Sequence, residues 1–269
     1  MISTLQKIEN LLYEDYRIII GLDVDIAKFP ASIKNEKYSI YKFNKEIIQS
    51  CSEYCAGFKF NLAFYEAYGN YGIEQLLRSI EEIPSDKIII GDGKRSDIGN
   101  TSEKYAFAYF DYFKFDCSTL NPYMGFDSLE PFLKRTDKYH FILSLTSNAS
   151  SIDFQKLKLY DETFLFQFVL KKISEWNSIY KNCGTVFGAT HLEDLRANSI
   201  YLQEIVTLLP GVGAQGASAK ETAELLFSNG IDKFFINASR SVIYKDTSSN
   251  FAEAARLETK KLREETIKG

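Results

Sequence analysis

Two carboxylates and a lysine stand close together in the stretch from Asp92 to Asp97, DGKRSD. Side chains alternate along a strand, so Asp92 and Lys94 should project to the same side if this stretch is extended. Lys59, at the end of another apolar run, is expected to lie near them. Fixed charges at a site without bulk water stabilise the charge that develops during a reaction. The pattern predicts a catalytic charge array; the alternative is a buried ion-pair network without chemistry.

A glycine-rich motif runs from Pro210 to Gly216, PGVGAQG, and Arg240 ends the next apolar run. The letters satisfy G-x-G-x-x-G, but a dinucleotide-binding loop follows the first strand of its fold, and this motif follows the seventh predicted strand. In α/β barrels the usual phosphate position lies after strands seven and eight. Arg240 could pair with a phosphate through two hydrogen bonds. The motif predicts a phosphate site; the alternative is a tight turn beside a surface arginine.

Polar side chains collect at the carboxyl ends of the apolar runs. They are Asp23, Asp25, Lys59, Asn61, Asp92, Lys94, Asn121, Thr146, Ser147, Asn148, Ser239 and Arg240. In a barrel all of these ends meet at one face, which carries the active site. Solvated charges would also occur at the amino ends and on helix faces, so the clustering favours a functional site.

Eight apolar runs must position these side chains, and their starts lie about 31 residues apart, the length of one βαβ repeat. The predicted strands are Arg17–Asp25, Cys55–Asn61, Lys87–Lys94, Asp116–Pro122, His140–Asn148, Gly184–Thr190, Thr207–Gly213 and Lys233–Arg240. They are apolar on both faces, as in a parallel sheet covered by helices.

The stretches between the runs carry apolar residues at a spacing of three to four, which predicts helices. These cover Asn44–Tyr54, Ile73–Ile83, Ile98–Phe113, Glu162–Tyr180, Ala219–Asn229 and Phe251–Thr266. Alternating strands and helices predict an α/β fold, a (β/α)8 TIM barrel, with an open doubly wound sheet as the alternative. Since no linker interrupts the pattern, we expect a single domain over residues 1–269.

Composition and charge argue against several classes of protein. The chain has 32 basic and 36 acidic residues, a net charge of −4, which argues against a nucleic-acid partner. No stretch approaches the roughly 20 apolar residues of a membrane helix, and the charged N-terminus lacks the apolar core of a signal peptide. We therefore expect a cytoplasmic protein without a membrane partner. Its four scattered cysteines and two histidines predict buried free thiols and no metal site.

Together the motifs resemble one known family. The stretch from Asp92 to Thr101, DGKRSDIGNT, is similar to the D-x-K-x-x-D-I signature of orotidine 5'-phosphate decarboxylases. Further pieces resemble the longer, class 2 form of these enzymes in the same order: Gly21–Asp23, Phe58–Asn61, Asn121–Asp127, Leu145–Asn148, Pro210–Gly216 and Asn237–Arg240. Val24 departs from the class, in which we expect proline, and should alter a loop rather than the chemistry.

The resemblance implies a reaction. Orotidine 5'-monophosphate would be converted to uridine 5'-monophosphate and carbon dioxide, in de novo pyrimidine synthesis, without a cofactor. Loss of carbon dioxide leaves a carbanion-like centre at C6 of the pyrimidine. Asp92 would lie against the substrate carboxylate. Lys94, held by Lys59, Asp92 and Asp97, would stabilise the developing charge and then protonate C6.

The resemblance also implies how the substrate is bound. Asp23, Lys59 and Thr101 would hold the ribose hydroxyls, with Asn61 near the ribose, and Ser147 would read the pyrimidine edge. Phosphate would be held by Gln215 and Arg240 with backbone amides of the adjacent turns, and Pro210 and Ser239 are counted among the substrate-binding residues.

A homodimer is implied as well, because in this family Asp97 and Thr101 reach into the partner's site.

Two other functions remain open from the residues. A sister decarboxylase that acts on a sugar phosphate shares the charge array but needs magnesium; Thr146, Ser147 and Gln215 favour the nucleotide. A non-catalytic nucleotide-binding barrel is the other, although a mere binder gains nothing from a carboxylate beside an anionic ligand.

Overall fold

Eight parallel strands close into a barrel in the computed structural model, which describes residues 3–213 and 216–268. Each strand pairs with the next in chain order, and the eighth pairs with the first. The strands are β1 Ile18–Gly21, β2 Gly57–Asn61, β3 Ile88–Arg95, β4 Cys117–Leu120, β5 Tyr139–Leu145, β6 Cys183–Phe187, β7 Thr207–Pro210 and β8 Phe234–Ala238. The predicted (β/α)8 barrel is confirmed, and the open doubly wound sheet is wrong. The single domain over residues 1–269 stays a prediction.

Helices precede, connect and follow the strands. They are α1 Thr4–Tyr13, α2 Ala31–Lys34, α3 Ser39–Cys51, α4 Ala63–Glu66, α5 Gly69–Ile80, α6 Gly99–Phe107, α7 Glu130–Leu133, α8 Leu165–Tyr180, α9 Leu192–Ala197, α10 Ser199–Leu202, α11 Ala219–Ser228, α12 Arg240–Ile243 and α13 Phe251–Glu265. Short 3-10 helices lie at Ile26–Lys28, Pro122–Met124, Phe126–Ser128 and Ala149–Asp153, and a π-helical turn at Ala108–Tyr112 follows α6.

The six helices predicted from the sequence are present with shifted ends. The first begins at Ser39 rather than Asn44, because its buried face already includes Ile40 and Phe43. The fourth begins at Leu165, since Glu162 has a φ of 64°, outside the helical region.

Two apolar layers hold the strands in place. Ile18 and Ile20 of β1 belong to the layer between the barrel and its helices, whereas Ile19 belongs to a layer inside the barrel. This division explains why the strand runs are apolar on both faces. Ile8 and Leu11 of α1 join the inner layer.

Helix α1 closes the amino end of the barrel. Lys7 Nζ lies 3.0 Å from Asp116 Oδ2 and 3.1 Å from the carbonyl oxygen of Lys87, both at the start of strands. The opposite, carboxyl end has no such cover among the described residues. Strands β1, β4, β5, β6, β7 and β8 end earlier than the sequence pattern predicts. Beyond β1, β5 and β8, polar residues leave the hydrogen-bonded ladder and line a cavity.

Candidate active site

A cavity of about 490 Å³ opens at the carboxyl ends of the strands. Its lining includes Asp23, Lys59, Asn61, Asp92, Lys94, Ser147, Pro210, Ser239 and Arg240, nine of the residues predicted from the sequence. Leu143, Val186 and Leu208 line it beside the apolar interior of the barrel. The barrel therefore gathers side chains from distant parts of the chain around one concave surface.

Asp92 is the centre of the charged group. Its carboxylate accepts hydrogen bonds from Lys59 Nζ at 2.9 Å and from Lys94 Nζ at 2.7 Å. Thr119 Oγ1 donates a third, at 2.8 Å. The side chains of Lys59 and Asp92 are buried, whereas that of Lys94 is 46% exposed. The ammonium of Lys94 thus faces the cavity, backed by a buried carboxylate.

Each buried charge in this group is kept ionised by its neighbours. Burial alone would raise the pKa of Asp92, but the ammoniums of Lys59 and Lys94 outweigh it and hold that pKa well below its usual range. Burial would lower the pKa of Lys59, but the carboxylates of Asp23 and Asp92 hold it above the ordinary lysine value. Lys59 and Asp92 are therefore both charged throughout the physiological range.

Lys94 reaches Asp92 through an irregular backbone. Its φ is 48°, in the left-handed region that residues other than glycine rarely adopt. The pairing of β3 with β4 shifts register between Gly91 and Arg95, and the Lys94 N–H donates to Thr119 Oγ1 at 3.0 Å. The regular alternation expected from the sequence is wrong at this point, because a bulge and not an extended strand directs Lys94.

The carboxylate of Asp23 lies on the other side of Lys59. Its Oδ1 is 3.8 Å from Lys59 Nζ and, although buried, has no hydrogen-bond partner among the described residues. Tyr65 OH donates to the carbonyl oxygen of Leu22 at 2.8 Å, and Tyr244 OH donates to that of Asp23 at 3.3 Å. With its backbone held in this way, Asp23 offers a free acceptor to a ligand hydroxyl.

The ends of β7 and β8 form the corner of the cavity that carries Arg240. Pro210 pairs with Asn237, and Gly211 has a φ of 106°, which suits glycine. Arg240 is the first residue of α12 and lines the cavity together with Ser239. Gln215, predicted to bind phosphate, lies outside the described residues.

Asp97 and Thr101 do not line the cavity of their own chain. Asp97 Oδ1 accepts a hydrogen bond from the Ile98 N–H at 2.8 Å, and Thr101 lies exposed in the first turn of α6. No distance in the single chain tests their predicted reach into a partner, so that role stays a prediction.

Three polar lining residues were not predicted as site residues from the sequence: Thr119, Gln155 and Asn237. Asn237 is a polar residue within an otherwise apolar strand, a signal that could have drawn attention to it. Thr119 lies beside Ser118 in β4 and does not stand out in this way. Asn237 Oδ1 is buried without a hydrogen-bond partner in the part of the chain that the structure describes. Gln155 follows a 3-10 turn after β5, in an interval without periodicity, and carries no such signal.

Residues 3–213 and 216–268 contain no group of three or more histidine, cysteine, aspartate or glutamate side chains that could hold a metal ion. None of the described helices has the length and apolarity to cross a membrane. All four cysteines are free and buried, as predicted.

Comparison with known proteins decides the family. A sequence model of the orotidine 5'-phosphate decarboxylase / HUMPS family matches residues 16–256. The chain belongs to this family. The predicted membership is confirmed, and with it the class of enzyme, a carbon–carbon lyase.

Relatives in the orotidine 5'-phosphate decarboxylase family match most of the chain. Orotidine 5'-phosphate decarboxylase from Porphyromonas gingivalis is 41% identical over 244 residues, covering 88% of this chain and 87% of the relative. The enzyme from Dehalococcoides mccartyi is 42% identical over 250 residues, covering 92% and 90%. The solved structure of Leishmania donovani OMP decarboxylase superposes with a TM-score of 0.79 at 28% identity, covering 97% of this chain and 99% of that one.

Proposed function

We propose that the chain decarboxylates orotidine 5'-monophosphate to uridine 5'-monophosphate without a cofactor, with Lys94 as the proton donor. The observation that carries the proposal is the group formed by Lys59, Asp92 and Lys94 at the cavity. Burial of an ionised carboxylate costs free energy, which paired cations must offset. Here that carboxylate holds a half-exposed ammonium toward the space a substrate would occupy.

The chemistry follows from the two charges. The carboxylate of Asp92 repels the substrate carboxylate, and the repulsion disappears when that group leaves as neutral carbon dioxide. The bond between C6 and the carboxyl carbon breaks, and its electron pair stays on C6. The Lys94 ammonium stabilises this pair and transfers a proton to it, after which the neutral amine takes a proton from solvent. Stabilisation that grows as the charge develops is the kind that accelerates a reaction.

Binding of the remote groups is assigned to the rest of the lining. Arg240 and the backbone near Pro210 and Ser239 would hold the phosphate, together with Gln215. Asp23 and Asn61, with Lys59, would hold the ribose, and Ser147 the pyrimidine. Binding energy from these groups can be used to place C6 against Lys94.

We also propose that the active form is a homodimer. Thr101 and Asp97 would complete the partner's ribose site and charge array. Their segment also carries the exposed apolar side chains of Ile98, Phe107 and Tyr112, and apolar surface of this kind is typical of an interface. The cytoplasmic location and the absence of a nucleic-acid partner stay predictions.

The test is an absorbance assay with orotidine 5'-monophosphate in the presence of a chelator. Wild type should turn over the substrate at the same rate with and without chelator, and Lys94→Ala should be nearly inactive. Lys134→Ala is the matched control, because Lys134 pairs with Glu130 on the surface and does not line the cavity. Activity that returned only with magnesium, or a Lys94→Ala variant as active as the control, would contradict the proposal.

A further inference from the structure

The loop that follows β5, residues Thr146 to Asn148, is held by a side chain that carries no sequence signal. Gln155 uses both of its polar atoms on Thr146. Its Oε1 accepts from the Thr146 N–H at 2.7 Å, and its Nε2 donates to Thr146 Oγ1 at 2.9 Å. A side chain whose carbonyl oxygen and amide nitrogen both hydrogen-bond to one residue fixes that residue in two directions.

A second side chain, His191, reaches the same residue from the start of α9. Its Nε2 lies 3.0 Å from the carbonyl oxygen of Thr146 and must donate, because a carbonyl oxygen only accepts. Asp194 Oδ2 lies 3.7 Å from His191 Nδ1 and accepts from Lys156 Nζ at 2.7 Å. The N–H, carbonyl and hydroxyl groups of Thr146 are therefore all engaged.

Ser147, the next residue, has little freedom to move. A side chain at Gly188, after β6, would place its Cβ 2.9 Å from both Cα and N of Ser147, so the two backbones are in direct contact. Gln155 lines the catalytic cavity beside Ser147 and also a separate apolar cavity of about 830 Å³. It thus forms part of the wall between the two spaces.

We propose that Gln155 and His191 are positioning residues that hold Ser147 at the pyrimidine ring of the substrate. The inference rests on the proposed function, in which Ser147 reads the pyrimidine. A hydroxyl that recognises a planar amide edge must keep its direction, and a displacement of about 1 Å can reduce the rate roughly a hundredfold. Thr146 transmits the constraint, since its backbone is continuous with that of Ser147.

The first experiment removes the hydrogen bonds of Gln155 while keeping its length. Gln155→Met should lower kcat/KM for orotidine 5'-monophosphate roughly tenfold or more, the loss expected for hydrogen bonds of ordinary strength. Competitive inhibition by ribose 5-phosphate, which lacks the base, should change less than about twofold, because the phosphate and ribose contacts remain. Gln167→Met is the matched control: Gln167 accepts from the Phe164 N–H at 2.9 Å but lies outside the cavity lining.

The second experiment approaches Thr146 from the other side. His191→Phe should resemble Gln155→Met, and His191→Gln, which retains an N–H donor, should recover part of kcat/KM. Unchanged kcat/KM in both Gln155→Met and His191→Phe would overturn the inference. Equal losses for the nucleotide and for ribose 5-phosphate would also overturn it, since they would reflect general damage. A wild-type protein without activity on the nucleotide would instead contradict the proposed function, and the inference with it.

Discussion

Thr119 contacts both residues on which the proposed reaction depends most. Its hydroxyl donates to Asp92 and accepts from the backbone N–H of Lys94. The Thr119→Val substitution keeps the shape of the side chain. It leaves the Lys94 N–H and one lone pair of the Asp92 carboxylate without a partner. Because hydrogen bonds to charged groups contribute about 1.5–3 kcal/mol, kcat should fall roughly 10- to 100-fold. Steady-state kinetics measure the change.

The control for this prediction is Thr185→Val. Thr185 is also buried in a strand, and its hydroxyl hydrogen-bonds within the sheet, 2.8 Å from Ser144 Oγ. It does not line the catalytic cavity, so its loss should lower stability without changing kcat. A Thr119→Val variant with the kcat of this control would show that the hydroxyl does not support the array.

Residues with a charge and a motif could be placed from the sequence, and residues without either could not. Lys59, Asp92 and Lys94 were expected together, because packing alone rarely favours charged residues at the ends of apolar runs. Thr119 differs, since a threonine within a strand is equally common in structural positions. Gln155 acts through Thr146 across a loop, and no local sequence pattern predicts such a contact.

The conformation of β3 illustrates what strand periodicity leaves open. The sequence predicted that Asp92 and Lys94 lie together, and they do, but the bulge depends on the register between β3 and β4. Register is decided by the packing of both strands and not by the spacing within one. The left-handed backbone at Lys94 is a strain that Thr119 helps to hold.

The side chain of Ser239, directly after β8, fills the space that a side chain at Gly21 in β1 would need. A Cβ at this position would lie 1.9 Å from Ser239 Oγ and 2.9 Å from Ser239 Cβ. Gly21→Ala should therefore lower the free energy of unfolding by about 1–3 kcal/mol, as overpacked cores do. Urea unfolding measures the change. Adding Ser239→Gly removes both clashing atoms and should restore part of the loss; a Gly21→Ala protein as stable as wild type would contradict the account.

His140 makes the stability of β5 depend on pH. It is fully buried against Phe110 and Phe132, with Ser118 Oγ 2.9 Å from its Nδ1. Burial lowers its pKa from 6.5 to about 3. Between these values the unfolded chain binds more protons than the folded chain, so this residue's contribution is complete above pH 6.5 and is lost as the pH falls toward 3.

The prediction is tested by unfolding wild type and His140→Gln in urea at pH 7 and pH 5. Wild type should lose roughly 2 kcal/mol more than the variant over this interval, the amount that one buried neutral histidine contributes. Other titrating groups are common to both proteins and cancel in the comparison. Equal losses in the two proteins would show that His140 takes up a proton without unfolding.

At the scale of the whole molecule, the proposed dimer can be tested by complementation. Lys94→Ala and Asp97→Ala homodimers should each be severely impaired. In a mixed dimer one site carries both defects and the other carries neither, if Asp97 serves the partner. Random exchange makes half of the dimers mixed, so activity should return to about a quarter of wild type. The measurement is activity after mixing the two proteins and allowing subunits to exchange.

The outcome depends on exchange being demonstrated independently. If subunits exchange and no activity returns, Asp97 serves the site of its own chain, and the prediction of a shared site is wrong. Neither residue's separate variant can distinguish these cases, because both would be inactive alone.

The architecture as a whole could be predicted because a parallel barrel repeats one pattern. Each strand must be apolar on both faces, and each connection must hold a helix, so eight repetitions leave few other folds. The helix α1 was not predicted, since it lies before the first strand and is not part of the repeat. Its role in closing the barrel depends on contacts such as Lys7 with Asp116, which join residues far apart in the chain.

Because all four thiols are buried, their reaction with an alkylating reagent reports local unfolding of the barrel. Burial raises the pKa of Cys51 to about 11 and that of Cys183 to about 12, and it also raises those of Cys55 and Cys117. Since only an accessible thiolate reacts, an alkylating reagent should leave the folded chain unlabelled. The thiols are spread from α3 to β6, so the order in which they are alkylated in rising denaturant would record which parts of the barrel open first.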